Sequence, residues 1–203
     1  MDEKIKKKHD ALCVKITQVF TDFYIFKNGY IVSKNIEKPF LIQIDEEQVK
    51  WFEELNGDFK ILHISDIRKY KKTGEFVEKV ESKSETAKII QILNERLNSV
   101  NQCEKWEKFI LSQNDEENEK LILSLFKNNN YIDFKPADTP DGPELILTKS
   151  LLPLVSEKNY TDLYYTSKCV GKDLYMIVFD LQFPLFRLYM IHHYIPINKE
   201  DTQ

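Results

Sequence analysis

The chain has 203 residues, 42% of them hydrophobic and 12% aromatic, so it can bury one large core or two small ones, and disorder is not expected. Its 29 Lys and Arg against 33 Asp and Glu give a net charge of −4, which argues against a surface that is basic throughout but leaves room for a local basic face. Only five glycines occur, without a GxGxxG, GxxxxGK[ST] or GxSxG pattern, so nucleotide hydrolysis and α/β-hydrolase chemistry are poor candidates.

The N-terminus and the cysteines indicate the compartment. MDEKIKKKHDAL has a charged start but no unbroken apolar run after it and no small-residue cleavage site, so a secretory signal is not expected. Cys13, Cys103 and Cys169 are odd in number and lack CxxC spacing, which favours reduced thiols over a disulfide framework or a zinc site. A cytoplasmic location is the resulting expectation.

The first element expected is an amphipathic helix over residues 3 to 20. Its apolar stripe consists of Ile5, Leu12, Ile16 and Val19. Lysines follow the flank of that stripe, namely Lys4, Lys8 and Lys15. Such a basic edge is either ordinary solvated surface or a face that contacts phosphates.

Strands follow this helix in the first half. Asn28-Gly29 between two β-rich runs predicts a tight hairpin. PFLIQI (39–44) and residues 59 to 64 are further strand candidates. The second of these leads into a short helix, capped by Ser65 or Asp66, that ends before Gly74. That helix contains the densest basic cluster of the chain, Arg68, Lys69, Lys71 and Lys72.

Polar residues 73 to 84 predict a boundary, which gives domains 1–78 and 79–203. A second amphipathic helix begins at Ser84. Its apolar face is Ile89, Leu93, Leu97 and Val100, with Lys88 outside it and Arg96 near its edge. KWEKFILSQ, EKLILSLF, YIDFKP, ELILT and YTDLYYTSK are expected strands, KSLLPLVSEK is expected to be a short helix, and NDEENEKLILSLF has a helix as its alternative.

The most hydrophobic stretch runs from Asp173 to Ile197. It is long enough to span a membrane, but polar residues and a proline interrupt it: Asp180, Gln182, Pro184, Arg187, His192 and His193. Met176 to Leu181 and Arg187 to Ile195 are rich in β-branched and aromatic residues. The stretch is therefore predicted to be a central antiparallel hairpin.

Catalytic constellations do not assemble in this sequence. His192 and His193 are neighbours on a predicted strand and point to opposite faces, so they are poorly placed to bind one metal ion. The acidic clusters at 45–47 and 115–117 fit turns or helix starts, where carboxylates favour the N-terminal dipole. No catalytic residue, metal or cofactor is expected.

The order of elements in the two halves is similar to that of the DNA sliding clamps, the family of proliferating cell nuclear antigen and the phage-type polymerase clamps. DFKILHISDIRKYKKTG resembles the family's strand and second inner helix. ELILTKSLLPLVSEKNYTDLYYTSK and the terminal stretch resemble its final helix, strands and C-terminal ending. The resemblance implies an α+β fold of two clamp-like domains, the first shortened, each with inner helices packed on an outer antiparallel sheet.

The same resemblance implies a processivity factor, a homotrimeric ring that encircles duplex DNA and tethers a DNA polymerase, with a clamp loader as a further partner. Basic side chains would contact phosphates without reading bases. These are Lys4, Lys8, Lys15, Arg68, Lys69, Lys71, Lys72, Lys88 and Lys149. Client peptides would bind near the C-terminal strand, at Tyr194, Ile195, Pro196 and Ile197, whose alternative role is strand-end packing.

Two other functions stay open at this stage. One is a non-enzymatic interaction protein of α+β fold, such as a phage-encoded host-binding factor or a clamp-derived transcription accessory protein. The other is an enzyme such as a small nuclease, for which the acidic clusters would have to carry the catalysis.

Overall fold

The computed structural model describes residues 22–34, 39–45, 57–63, 82–110, 162–172, 174–183 and 186–194, with isolated positions at 3, 7, 72 and 73 and between 112 and 121. Eight strands and one long helix lie in these ranges. They are β1 (Asp22–Phe26), β2 (Tyr30–Ser33), β3 (Phe40–Ile44), β4 (Phe59–His63), α1 (Lys83–Asn101), β5 (Glu107–Lys108), β6 (Asp162–Gly171), β7 (Leu174–Phe183) and β8 (Phe186–Tyr194). The strands form one antiparallel sheet in the order β4-β1-β2-β3-β8-β7-β6-β5.

This sheet corrects the expected fold class. The α+β fold of two clamp-like domains with inner helices is wrong, because the described residues form a mostly-β structure around a single eight-stranded sheet. Strand β3 from the first half pairs with β8 from the end of the chain, from Phe40 opposite Met190 to Ile44 opposite Phe186. Strands of both halves thus share one sheet. The expected boundary between residues 78 and 79 lies outside the described residues.

The hairpin predicted at Asn28-Gly29 is confirmed. Strands β1 and β2 pair antiparallel with Ile25 opposite Ile31, and Gly29 has a φ of 87°, a value that side chains disfavour and glycine accepts. The Gly29 N–H donates to the Phe26 carbonyl at 3.0 Å, as in a three-residue turn that ends in a left-handed glycine. The Gly29 carbonyl also accepts from Ile44, which ties this turn to the end of β3.

The predicted C-terminal hairpin is also confirmed. Strands β7 and β8 pair from Tyr175 opposite Tyr194 to Phe183 opposite Phe186, and they occupy central places in the sheet. The strands predicted over 39–44 and 59–64 appear as β3 and β4, and YTDLYYTSK lies within β6 and the residues just before it. No described helix is long and apolar enough to cross a membrane.

Helix α1 begins with a capping box. The Ser82 hydroxyl accepts from the Glu85 N–H at 3.3 Å, and the Glu85 carboxylate accepts from the Ser82 N–H at 2.9 Å, so two main-chain donors at the helix start are satisfied. Ile89 and Leu93 are buried against the sheet, as the sequence predicts. Leu97 and Val100 pack at the margin of the same core.

Both faces of the sheet are buried. The face under α1 includes Tyr24, Val32, Leu41, Val178 and Ile191. The opposite face includes Phe23, Phe40, Ile42, Phe179 and Leu188, each at most 2% exposed. Burial on two sides explains why the strands are continuous apolar runs rather than alternating patterns.

Two other expectations need correction. Only Glu107–Lys108 forms a strand in the described part of KWEKFILSQ. Residues 116–118, 120 and 121 are helical, so the preference for a strand at EKLILSLF is wrong there and the helix alternative applies. A short apolar run fits either element, and the neighbouring Asn114 side chain accepts from the Glu116 N–H at 3.0 Å, as at a helix start. YIDFKP, ELILT and KSLLPLVSEK lie outside the described residues.

Candidate functional site

Most of the predicted DNA-contacting residues lie outside the described part of the chain. These are Lys4, Lys8, Lys15, Arg68, Lys69, Lys71 and Lys149. Of the helices expected to carry them, only Glu3, Lys7, Lys72 and Thr73 are described, and these four positions are helical. Lys72 and Lys88 are described, and both are exposed. Whether the predicted set lies together is therefore a question outside the described residues, and the role of these lysines and this arginine stays a prediction.

The outer surface of α1 is not a basic face. Lys83 and Lys88 are its exposed cations, and Glu85 and Glu95 are exposed anions on the same helix. The signs balance, so this surface offers little net attraction to a phosphate backbone. Lys88 is thus a weak candidate for DNA contact within the described residues.

Of the four residues predicted to bind client peptides, the structure describes only Tyr194. Tyr194 is the last residue of β8 and is registered opposite Tyr175. Ile195, Pro196 and Ile197 lie outside the described residues. His192 is buried at 7% exposure and His193 is exposed, as expected for neighbours that point to opposite sheet faces. The described residues contain no group of three or more side chains that could hold a metal ion.

A central ion pair lies on the sheet face under α1. The Arg187 Nη2 donates to Asp180 Oδ2, and Arg187 Nε donates to Asp180 Oδ1 at 3.3 Å. The Gln182 amide also donates to Asp180 Oδ2, at 3.2 Å. Asp180 on β7 and Arg187 on β8 are diagonal neighbours across the hairpin, which explains how residues seven apart meet. The Asp180 side chain is 2% exposed and that of Arg187 is 43% exposed.

Aromatic rings surround this central ion pair. The Arg187 guanidinium carbon lies 5.3 Å from the centre of the Tyr189 ring, within the range of a cation–π contact. Trp106 packs beside Tyr189 at 6.3 Å between ring centres. The hydrogen bond to Asp180 raises the pKa of Arg187 above its ordinary value. Burial, with the Asp180 charge, raises the pKa of Tyr189 to about 12.

A second, similar pair lies at the edge of the sheet. Lys108 on β5 forms an ion pair with Asp162 on β6, and its ammonium lies 6.0 Å from the centre of the Tyr164 ring. These side chains are more open, at 56% exposed for Lys108 and 31% for Asp162. On the other face of the same strands, Tyr165 donates to the Glu107 carboxylate at 2.5 Å, and this hydrogen bond raises the pKa of Tyr165 to about 12.

The outer edge of β5 is the most open part of the described sheet. Phe109 donates its N–H to Leu163 at 2.8 Å, so the N–H and C=O groups of Lys108 and Ile110 alternate to the side away from β6. The structure gives those outward groups no partner among the described residues. The Ile110 side chain is 78% exposed, the highest value of any large hydrophobic residue described.

Sequence reasoning missed both ion pairs. Asp180 and Arg187 counted only as interruptions of an apolar run. A signal was present, because a hairpin centred between Phe183 and Phe186 places positions 180 and 187 diagonally on one face. Lys108 and Asp162 are 54 residues apart, and no local pattern connects them.

Comparisons with protein-family models, with curated proteins and with solved structures find no match to this chain. The fold and the described side chains therefore carry the functional argument alone.

Proposed function

We propose that this protein is a non-enzymatic interaction protein that binds an extended segment of a partner protein at the outer edge of β5. The observation that carries the proposal is the row of outward main-chain groups at Lys108 and Ile110, beside an Ile110 side chain that is 78% exposed. Addition of a strand to such an edge supplies main-chain hydrogen bonds, and exposed side chains supply specificity. A cytoplasmic location is part of the same proposal.

The placement of Lys108 supports this edge as a binding site. Lysines on edge strands commonly block pairing with other chains, because the charge projects where a new strand would lie. Here the Lys108 ammonium is drawn back over Tyr164 and bound to Asp162, on the inner side of the strand. Within the described part of the chain, the Lys108 side chain therefore does not cover the outward main-chain groups.

The sliding-clamp hypothesis is not carried forward as the first choice. It depended on two domains with inner helices, and a single sheet replaces them. The described outer face of α1 also balances cations with anions. Duplex DNA, a polymerase, a clamp loader and a homotrimeric ring stay predictions for the residues that the structure does not describe.

The test uses extended peptides selected from a displayed random library on the whole protein, with affinities measured by calorimetry. Ile110→Pro removes the outward N–H while the neighbouring Phe109–Leu163 hydrogen bond is kept. We expect this variant to lose at least about tenfold in affinity, and Ile110→Ala to lose less because it keeps the donor. Leu174→Ala is the matched control, since Leu174 is also an exposed apolar side chain, at 37%, but lies at the turn between β6 and β7.

Amide chemical shifts locate the bound peptide. The proposal requires the largest shifts at Lys108 and Ile110. Failure of the library to yield any peptide, or selected peptides that bind Ile110→Pro as tightly as the wild type, would overturn it.

A further inference from the structure

Arg96 on α1 is a partly buried cation that forms no ion pair with a described carboxylate, although the charge of the adjacent Glu95 acts on it. Its Nε atom is buried and has no hydrogen-bond partner, and the structure assigns Arg96 no ion pair with any described carboxylate. The adjacent acid, Glu95, accepts instead from Gln91 at 2.8 Å on the exposed side of the helix. Because a guanidinium stays charged, partial burial without a partner is unfavourable.

His193 on β8 lies on the sheet face that α1 covers, near enough for the Arg96 charge to act on its imidazole. His193 is registered opposite Met176 on β7, and Met176 is registered opposite Lys168 on β6. Lys168 and His193 therefore lie at the same end of this sheet face. Lys168 Nζ donates to the Gln102 carbonyl at 3.2 Å, just beyond the end of α1. Although His193 is exposed in part, the partial burial of its imidazole, the Arg96 charge and the neighbouring His192 all lower its pKa.

We propose that Arg96 and His193 form a binding site for a phosphate-type oxyanion, with Lys168 adding to the local positive potential. A guanidinium offers parallel N–H donors that match two oxygens of such an anion. A protonated imidazole from a second element reaches a third oxygen, which favours a tetrahedral anion over a planar carboxylate. The site uses none of the β5 edge residues and does not depend on the proposed function.

Binding of the anion is coupled to protonation of His193. The free protein disfavours the imidazolium because the ring is partly desolvated and the Arg96 charge acts on it, and a bound dianion reverses the sign of the local charge. The anion therefore raises the pKa of His193. By linkage, its affinity must increase as the pH falls through the titration range of that histidine.

Sulfate is the probe, because it stays doubly charged across this range. Affinity is measured at constant ionic strength, with chloride as the competing salt, by the NMR titration of the His193 ring. We expect about tenfold tighter sulfate binding near about pH 5.5 than near about pH 7.5, together with a higher His193 pKa in sulfate than in chloride.

Three variants separate the site from general salt effects. Arg96→Gln should weaken sulfate binding by about tenfold or more, whereas Lys88→Gln, which removes an exposed cation of the same helix, should leave it unchanged. His193→Gln should still bind sulfate weakly, with an affinity that no longer depends on pH. If Arg96→Gln fails to fold, the loss of this pH dependence in His193→Gln is the test of the site. Equal effects of sulfate and chloride, or an Arg96→Gln protein that binds as the wild type does, would refute the site.

Discussion

Two ion pairs of this sheet are built alike and placed differently. The central pair, Asp180 with Arg187, and the edge pair, Asp162 with Lys108, each join a carboxylate to a cation that lies over a tyrosine ring. The central carboxylate is 2% exposed, whereas the edge carboxylate is 31% exposed. The two ion pairs thus have the same arrangement of groups but differ in how far water reaches them.

The difference follows from the position of the strands. β7 and β8 have neighbours on both sides, and the side chains around Asp180 exclude water. Among the described strands, β5 has a neighbour on one side only, and its lysine is exposed to water. A charge pair in water contributes little to stability, whereas a buried charge depends on its partner. We therefore infer that breaking the central pair strongly destabilises the folded protein and that breaking the edge pair does not.

The largest effect is expected from Arg187→Met. The substitution leaves the Asp180 carboxylate buried with only the Gln182 amide as a described donor, and loss of one member of a buried pair typically costs about 3–5 kcal/mol of unfolding free energy. Urea denaturation at neutral pH measures it. Adding Asp180→Asn to this variant should recover part of the loss, because the unpaired charge is then absent. A loss under about 1 kcal/mol would show that water already solvates Asp180.

Much of the sheet was predictable from local patterns, because its signals are local. Asn28-Gly29 specifies a tight turn, and the apolar runs of β3, β7 and β8 specify buried strands. The pairing of Phe40–Ile44 with Phe186–Met190 was not predictable, since nothing in either segment identifies its partner. That single pairing joins strands of both halves in one continuous sheet, and the expected clamp-like fold class is wrong at this point.

The candidate sites were harder to predict than the strands. Arg96 is recognisable in the sequence only as a residue near the edge of an apolar helix face. Its lack of an ion pair with a described carboxylate becomes apparent once α1 is packed on β8 and the side-chain contacts are known. The openness of Ile110 likewise depends on the place of β5 at the end of the described sheet.

A smaller effect on stability is expected at alkaline pH, where Tyr189, the tyrosine beside the central ion pair, loses its proton. The pKa of Tyr189 is about 12 in the folded protein against an ordinary value of 10.0, so between these values the folded state holds a proton that the unfolded state has lost. Stability is therefore complete below about pH 10 and falls as the pH rises toward about pH 12. Tyr165 and Cys103, with raised pKa values of about 12 and about 11, act in the same direction.

In Tyr189→Phe, the unfolding free energy should fall less steeply with rising pH. The slope should decrease by the amount that corresponds to about one bound proton. Urea midpoints measured across the range give the slope, and Tyr30→Phe is a control at a partly buried tyrosine of the same core cluster. An unchanged slope in Tyr189→Phe would mean that the central ring is as accessible to water as an exposed one.

The smallest effect is expected from Lys108→Met, the edge counterpart of Arg187→Met. The ammonium and Asp162 are both accessible to water, so removal of the lysine leaves a carboxylate that water solvates, and the urea midpoint should not change measurably. The same variant also bears on the proposed binding edge. Because Lys108 is drawn back toward Asp162, its loss should leave peptide affinity within about twofold. Ile110→Pro removes a main-chain donor and should lower the affinity by at least about tenfold. If Lys108→Met weakens peptide binding as strongly as Ile110→Pro does, the lysine contacts the partner directly, and the edge pair is part of the interface and not only its inner border.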